Sequence, residues 1–513
     1  MTALSLLWQV PAGQARELKG TGGLSTGYDY YDRQQKAVTP TDDTSGSASA
    51  VTASDKQDDY RKIIVRPLIT LEAVAEKDAL EIRYEPGFYY DDLNDQHDIN
   101  HKASFSGRRL VTKDWQLLLA DSYEIKDDAN QTETAVNSPA ATAAGDVATA
   151  TTSPASSSEQ LSADRGRRRY TTNSLQALSE YQYLEDSTFS LGYTNSLLRN
   201  DDNVDLAYQD YDKHDGLLAL AYRYDQIWKM SFTGHYIRGL FDTPAADIPL
   251  DAAVAPVGIA TDQNDQPAVQ ADDLSNDLTE YHTEVSLESS LIPRQPLRLG
   301  YSRAAYDYDS ELQDDTAIHN LTLGWQWQYS PHLTFNAGAG PSYAVTDNQD
   351  DTWGYNGELG SGYKLERGNF SLAVEKGLER QNFTGQTVAN GLTDFWDTRA
   401  NFSYNLLAST TVSLFTGYRY EDQDELTAGD VVTTRSTDPA LQTDAASAYT
   451  AQTDTITTKR LTAGCSAKYS FWQWYAVDLS YKYANQVSER AEDQYDDHQV
   501  MLTLSFEKEV FRW

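Results

Sequence analysis

The residues best suited to metal binding or catalysis in this chain are eight histidines and one cysteine. No HExxH motif is present, and no two histidines share a spacing that points to a metal ion. A hydrolase needs a nucleophile, a histidine and an orienting polar group that converge. His235, His282 and His319 each have serine or threonine nearby, a proximity that so polar a chain supplies without design. The sequence therefore predicts no enzyme, no cofactor and no metal site. Cys465 is alone, so it forms no internal disulfide and no cysteine-based zinc site. It shares the alternation of Leu461, Ala463 and Ala467, as a small apolar side chain on a packed or lipid-facing surface would.

Charge offers two further patterns. Arg165, Arg167, Arg168 and Arg169 form the strongest basic run in an acidic protein, where the longest polar stretch ends. They could pair with lipopolysaccharide phosphates, line a constriction, pin a loop to acidic neighbours, or be a solvated run. The second pattern is acidic: Asp91, Asp92, Asp95 and Asp98; Asp201, Asp202 and Asp205; Asp347, Asp350 and Asp351; Asp422, Asp424 and Glu425. Oxygen-rich clusters can hold calcium, but none of these follows the EF-hand pattern, and solubility is the simpler reading.

The elements that would carry these residues are legible in Asn320–Gly340, NLTLGWQWQYSPHLTFNAGAG. Leu321, Leu323, Trp325, Trp327 and Tyr329 fall on one face of a strand, and Asn320, Thr322, Gly324, Gln326 and Gln328 on the other. Ser330-Pro331-His332 reverses the chain, since proline pre-sets the dihedral that a turn needs. Leu333, Phe335, Ala337 and Ala339 then continue the apolar face. A helical period does not fit.

From Leu24 onward the same plan recurs: alternating run, short turn, alternating run, polar loop. Polar stretches fall at about 34–57, 127–166, 242–276 and 421–453. The second of these is low-complexity Ala, Thr, Ser and Asp, too polar to build a core. The count is about 20 strands, between 18 and 22, in one domain. Short turns at one end and long loops at the other are the plan of an outer-membrane barrel. No run of about 18 apolar residues is present, which excludes a transmembrane helix. Residues 1–15 read as the remnant of a signal peptide: Ala3–Val10 is apolar, and Gly13-Gln-Ala15 is a small-x-small cleavage site. The missing basic region places the true start upstream. The net charge of −36 argues against nucleic-acid binding.

The two faces decide the solvent. Leu80, Ile82 and Tyr84 alternate with Glu81, Arg83 and Glu85; Trp228, Met230 and Phe232 alternate with Lys229, Ser231 and Thr233. Tyr475, Val477, Leu479 and Tyr481 alternate with Ala476, Asp478, Ser480 and Lys482. Closing such a sheet puts apolar residues in lipid and polar ones in water, and removes the sheet edges. The expected fold is all-β: one transmembrane antiparallel up-and-down barrel in a bacterial outer membrane. Candidate lumen or constriction residues are Arg66, Glu81, Arg83, Glu85, Lys229 and Asp478, with the arginines of 165–169. Aromatics gather at run ends (Tyr89, Tyr90, Tyr418, Tyr420, Trp472, Trp474), where headgroups would meet them. At the C-terminus, Val500, Leu502, Leu504 and Phe506 alternate, but Phe511 is out of phase, which predicts a bulge or an early end.

Arg168-Arg-Tyr-Thr-Thr-Asn173, Leu191-Gly-Tyr193 and Arg199-Asn-Asp-Asp202 resemble the β-barrel porins of Gram-negative bacteria that accompany exopolysaccharide export systems. The resemblance implies an outer-membrane pore serving polysaccharide secretion, and transfers no binding residue; the barrel by itself reads as a passive channel for small hydrophilic solutes. Partners on this reading are outer-membrane lipid, lipopolysaccharide, the barrel assembly machinery, and a polysaccharide or protein in the lumen. No plug domain fits before Leu24, which argues against a TonB-dependent importer. The rival to a channel is a structural barrel that sheathes another protein subunit.

Overall fold

The computed structural model describes residues 17–35, 56–126, 169–201, 209–242, 277–310, 313–347, 349–384, 390–427, 452–489 and 493–513. Residues 1–15, Arg165, Arg167 and Arg168, and most of the four polar stretches lie outside these residues.

The chain is a closed barrel of twenty antiparallel strands: β1 (Glu17–Gln35), β2 (Lys56–Val74), β3 (Asp78–Asp91), β4 (Gln96–Thr112), β5 (Trp115–Lys126), β6 (Tyr170–Leu184), β7 (Ser187–Asn200), β8 (Tyr211–Arg223), β9 (Trp228–Phe241) and β10 (Leu278–Ser289), then β11 (Leu297–Tyr308), β12 (Thr316–Ser330), β13 (Leu333–Thr346), β14 (Thr352–Leu365), β15 (Gly368–Glu379), β16 (Asn390–Leu407), β17 (Thr410–Thr427), β18 (Gln452–Phe471), β19 (Tyr475–Ser488) and β20 (Tyr495–Arg512). Each strand pairs with its neighbours in sequence, and β20 pairs with β1, so no edge remains.

The hairpin of β12 and β13 turns at Pro331 and His332, where the Ser330 hydroxyl accepts from the amides of His332 (3.2 Å) and Leu333 (3.0 Å). The serine satisfies donors that the turn leaves unpaired. The phase break at the C-terminus is a bulge: Gly20 faces Phe511 and Thr21 faces Glu509, so Val510 is the extra residue. β17 and β18 remain paired from Glu421–Thr458 out to Thr427–Gln452, so this wall rises well into the stretch that polarity alone assigns to a loop. Backbone pairing is indifferent to side-chain polarity once a strand has left the lipid.

The outer surface carries a belt of exposed apolar residues, among them Leu24, Ile69, Ile82, Leu191, Leu218, Leu299, Leu323, Leu359, Leu414, Leu479 and Leu502. In water such a belt would be a very large unpartnered patch. In a membrane it is the lipid face. The closed ladder satisfies every backbone group that the hydrocarbon core cannot. The protein is thus a transmembrane β-barrel of the outer-membrane kind. Its buried hydrophobic residues lie on the long-loop half, at positions such as Ile64, Tyr170, Leu198, Ile237, Leu278, Ile318 and Phe395.

Candidate transport lumen and its constriction

Strand alternation puts Arg66, Glu81, Arg83, Glu85, Lys229 and Asp478 on the inner face, opposite the exposed Ile69, Ile82, Tyr84, Met230 and Leu479 on the outer one. Arg83 donates to Glu85 at 2.8 Å, and Arg66 Nε donates to the Tyr89 hydroxyl at 3.3 Å. Lys229 stands directly across from Glu288, and Asp478 across from Lys468. Glu124 takes both Lys102 (3.5 Å) and Lys126 (3.0 Å). Inward charges of both signs are thus interleaved along the wall. Toward the short turns the inner face is open to water: Glu81, Gln326, Asn336 and Asn401 are exposed.

Arg169, the one described member of the arginine run, lies at the rim. It pairs with Asp201 (3.0 Å) and Asp98 (3.5 Å) and donates to the Ile99 carbonyl at 3.1 Å. These contacts tie the start of β6 to β4. At the same rim Arg238 donates to Asp309 at 3.0 Å and holds that carboxyl below the usual carboxylate value.

The long-loop half narrows for a reason the sequence does not announce. After β15 the chain turns inward and runs along the inner wall as a strap, Arg380–Thr384. Arg380 donates to Thr316 Oγ1 (2.6 Å) and to the Asp314 carbonyl (3.0 Å), and lies 4.4 Å from the centre of the Tyr308 ring. The Asn382 carboxamide accepts from the Tyr308 hydroxyl (2.6 Å) and donates to Glu280 (2.7 Å). Only one orientation of the amide satisfies both partners. Glu280 is wholly buried, and its other oxygen meets His282 Nε2 at 2.9 Å. Two such charge-assisted bonds offset the cost of burying a carboxylate.

Phe383 ends the strap and is also wholly buried. It packs with Tyr170, Leu198, Tyr211, Ile237, Phe241 and Leu278. Its ring stacks on Phe241 at 5.4 Å and meets Tyr211 edge-on at 5.2 Å, with Lys213 Nζ 4.8 Å from its centre. Gly239 admits it: a Cβ there would lie 2.9 Å from Phe383 Cζ. The strap therefore reaches from β15 to β8 inside the barrel. Beside its root, Arg419 bonds Glu379 and Glu421 and lies 3.7 Å from Asp397, which also takes Arg399 at 2.9 Å.

The three histidines with serine or threonine nearby in sequence part company. His235 is held by Asp215 at Nδ1 (3.0 Å), and His282 by Glu280. His319 lies on the outer face against Tyr301. No serine, threonine or cysteine is hydrogen-bonded to any of them among the described residues. Those residues also hold no cluster of three or more His, Cys, Asp or Glu that could bind a metal ion.

No protein-family model matches this chain, and no curated protein does. Its fold is similar to solved outer-membrane proteins. The F5-1 variant of the FrpB iron transporter from Neisseria meningitidis aligns with a TM-score of 0.48 at 10% identity, over 96% of this chain and 82% of that one. The siderophore receptor PirA from Pseudomonas aeruginosa gives 0.42 at 11%, over 94% and 80%. OpdQ from the same species gives 0.35 at 10%, over 96% and 98%.

Proposed function

We propose that the protein is a passive outer-membrane channel for small hydrophilic solutes, narrowed in its extracellular half. The observation that carries this reading is the strap Arg380–Thr384, docked against one side of a charged, water-accessible inner wall. A loop pinned inward constricts a lumen, and the interleaved charges around it give a solute of either sign a partner at each step. The rows of Arg83–Glu85, Lys102–Glu124–Lys126 and Arg399–Asp397–Arg419 supply those partners.

The reading is of a transporter with no catalytic role. Its partners are outer-membrane lipid, lipopolysaccharide and the barrel assembly machinery. Export of a polysaccharide is a narrower version of the same reading. An acidic polymer would call for a basic lumen, and the mixed inner wall favours small solutes instead. A barrel that sheathes another subunit would need a clear bore, which the strap obstructs. Liposome swelling tests the proposal: vesicles carrying the protein should swell in small sugars and progressively less in larger ones. Vesicles that do not swell in any sugar would contradict it.

A further inference from the structure

Four of the eight histidines occupy one equivalent place in the wall, although they are irregularly spaced in sequence. His101 on β4, His214 on β8, His319 on β12 and His498 on β20 each meet, at Nδ1, a tyrosine hydroxyl of the preceding strand. The tyrosines are Tyr84 (2.9 Å), Tyr193 (2.7 Å), Tyr301 (2.9 Å) and Tyr481 (3.0 Å). In every pair the histidine stands two residues beyond the tyrosine's direct cross-strand partner, on the loop side. Those partners are Ala103, Gly216, Leu321 and Val500. The hairpins concerned recur at every fourth strand around the barrel. The remaining position in that spacing, on β15 and β16, carries Val374 opposite Thr398, with Trp396 in the histidine's place.

All four tyrosines are exposed on the outer face, and the next outward residue toward the short turns is an exposed aliphatic: Ile82, Leu191, Leu299 and Leu479. Toward the loops the outer face turns polar beside two of the pairs, with Asp212 beside His214 and Asp32 and Asp496 beside His498; beside His319 it carries Arg303, then the small Ala305, Ala317 and Val345, with the exposed Trp353 across from Tyr343. Beside His101 it first passes Phe88 and Ile99. The pairs therefore sit near the outer boundary of the lipid belt. Where the tyrosine donates to Nδ1, the imidazole proton stands on Nε2.

The third pair is the most complete. Arg303 is exposed, stands directly across from His319, and has no carboxylate within ion-pair distance among the described residues. Tyr343 stands directly across from His319 on its other side, and its own hydroxyl is spent on Asp351. A guanidinium and a tyrosine-bound imidazole thus stand side by side on the outer face, with Asp307, four residues further along β11, as the carboxylate that feels the arginine's charge.

We propose that Arg303 and His319, oriented by Tyr301, bind the phosphate of an outer-leaflet glycolipid whose acyl chains lie on the belt below. The other three tyrosine–histidine pairs are weaker contacts on the same level. The belt already commits acyl chains to Leu299, Leu321 and Leu323, so a headgroup must lie above them. A phosphate there meets an exposed guanidinium that holds no ion pair at contact distance, and an imidazole beside it.

The test is native mass spectrometry of the folded protein with bis-phosphorylated and dephosphorylated lipid A in competition. The wild type should retain the phosphorylated form in preference, by about tenfold, as hydrogen bonds to a charged group imply. Arg303→Gln with His319→Gln should abolish the preference, and Arg303→Lys should keep part of it. His332→Gln, in a turn at the opposite end, should leave it unchanged. Heat-modifiable migration establishes that each variant is folded. An unselective wild type would overturn the proposal, as would a folded double variant with its preference intact.

Discussion

Leu323 and Thr322 are adjacent in the chain and meet different solvents. Leu323 is 60% exposed on the lipid face, while the Thr322 hydroxyl donates to Asn356 at 2.8 Å on the inner one. Leu323→Arg should impair insertion, because arginine at the midplane of a barrel costs roughly 2–4 kcal/mol. Thr322→Arg should lose one hydrogen bond, about 1 kcal/mol, and still insert. Folded yield in vesicles checks the pair; equal damage from both would mean that both faces are packed. Residues of this sort were legible from the start. Glu81, Arg83, Glu85, Arg66, Lys229 and Asp478 point inward because strand alternation leaves them no choice. Phe383 and Gly239 were not legible, because their contact joins the ends of non-adjacent hairpins. The tyrosine–histidine pairs were missed for a related reason: their regularity is in strand number, while the loops between them differ in length. The arginine run was open to several roles; of its members Arg169 lies within the described residues, paired with Asp98 and Asp201.

At the scale of elements, the strap is the feature on which the proposed channel reading turns. Phe383→Ala removes the ring that anchors it, and Gly239→Val fills the space the ring occupies. Either change should release the strap and raise single-channel conductance, with the belt and insertion untouched. Unchanged conductance in both would mean that the strap does not border the path. Strand ends were the least legible part of the fold. β17 and β18 continue through Thr, Asp and Gln, where polarity suggests a loop, because residues beyond the lipid no longer need an apolar face. The short connections also allow the sidedness of the barrel to be tested. An epitope tag inserted at Asn94, between β3 and β4, should be detected on intact cells. One inserted at Glu366, between β14 and β15, should be detected only after the outer membrane is opened. The reverse pattern would invert the topology.

At the scale of the molecule, a net charge of −36 sits on a barrel whose inner charges are mixed, and the excess of acid is concentrated in its loops. A rim of one sign beside low-dielectric walls concentrates counter-ions at the mouth. The screening length is about 8 Å at physiological salt, so the preference should be marked in dilute salt and fade in concentrated salt. On the proposed reading, the channel should therefore favour cations modestly. The closed barrel and its lipid face were legible in sequence because twenty strands repeat one pattern, and repetition survives errors at any single strand. The narrowing of the lumen was not, since among the described residues it depends on where the short segment after β15 folds. Single-channel recording of the purified protein in a planar bilayer tests the central claim most directly. The account predicts discrete, ohmic steps with a cation-selective reversal potential across a dilute KCl gradient. A protein that inserts in folded form and passes no current would contradict it.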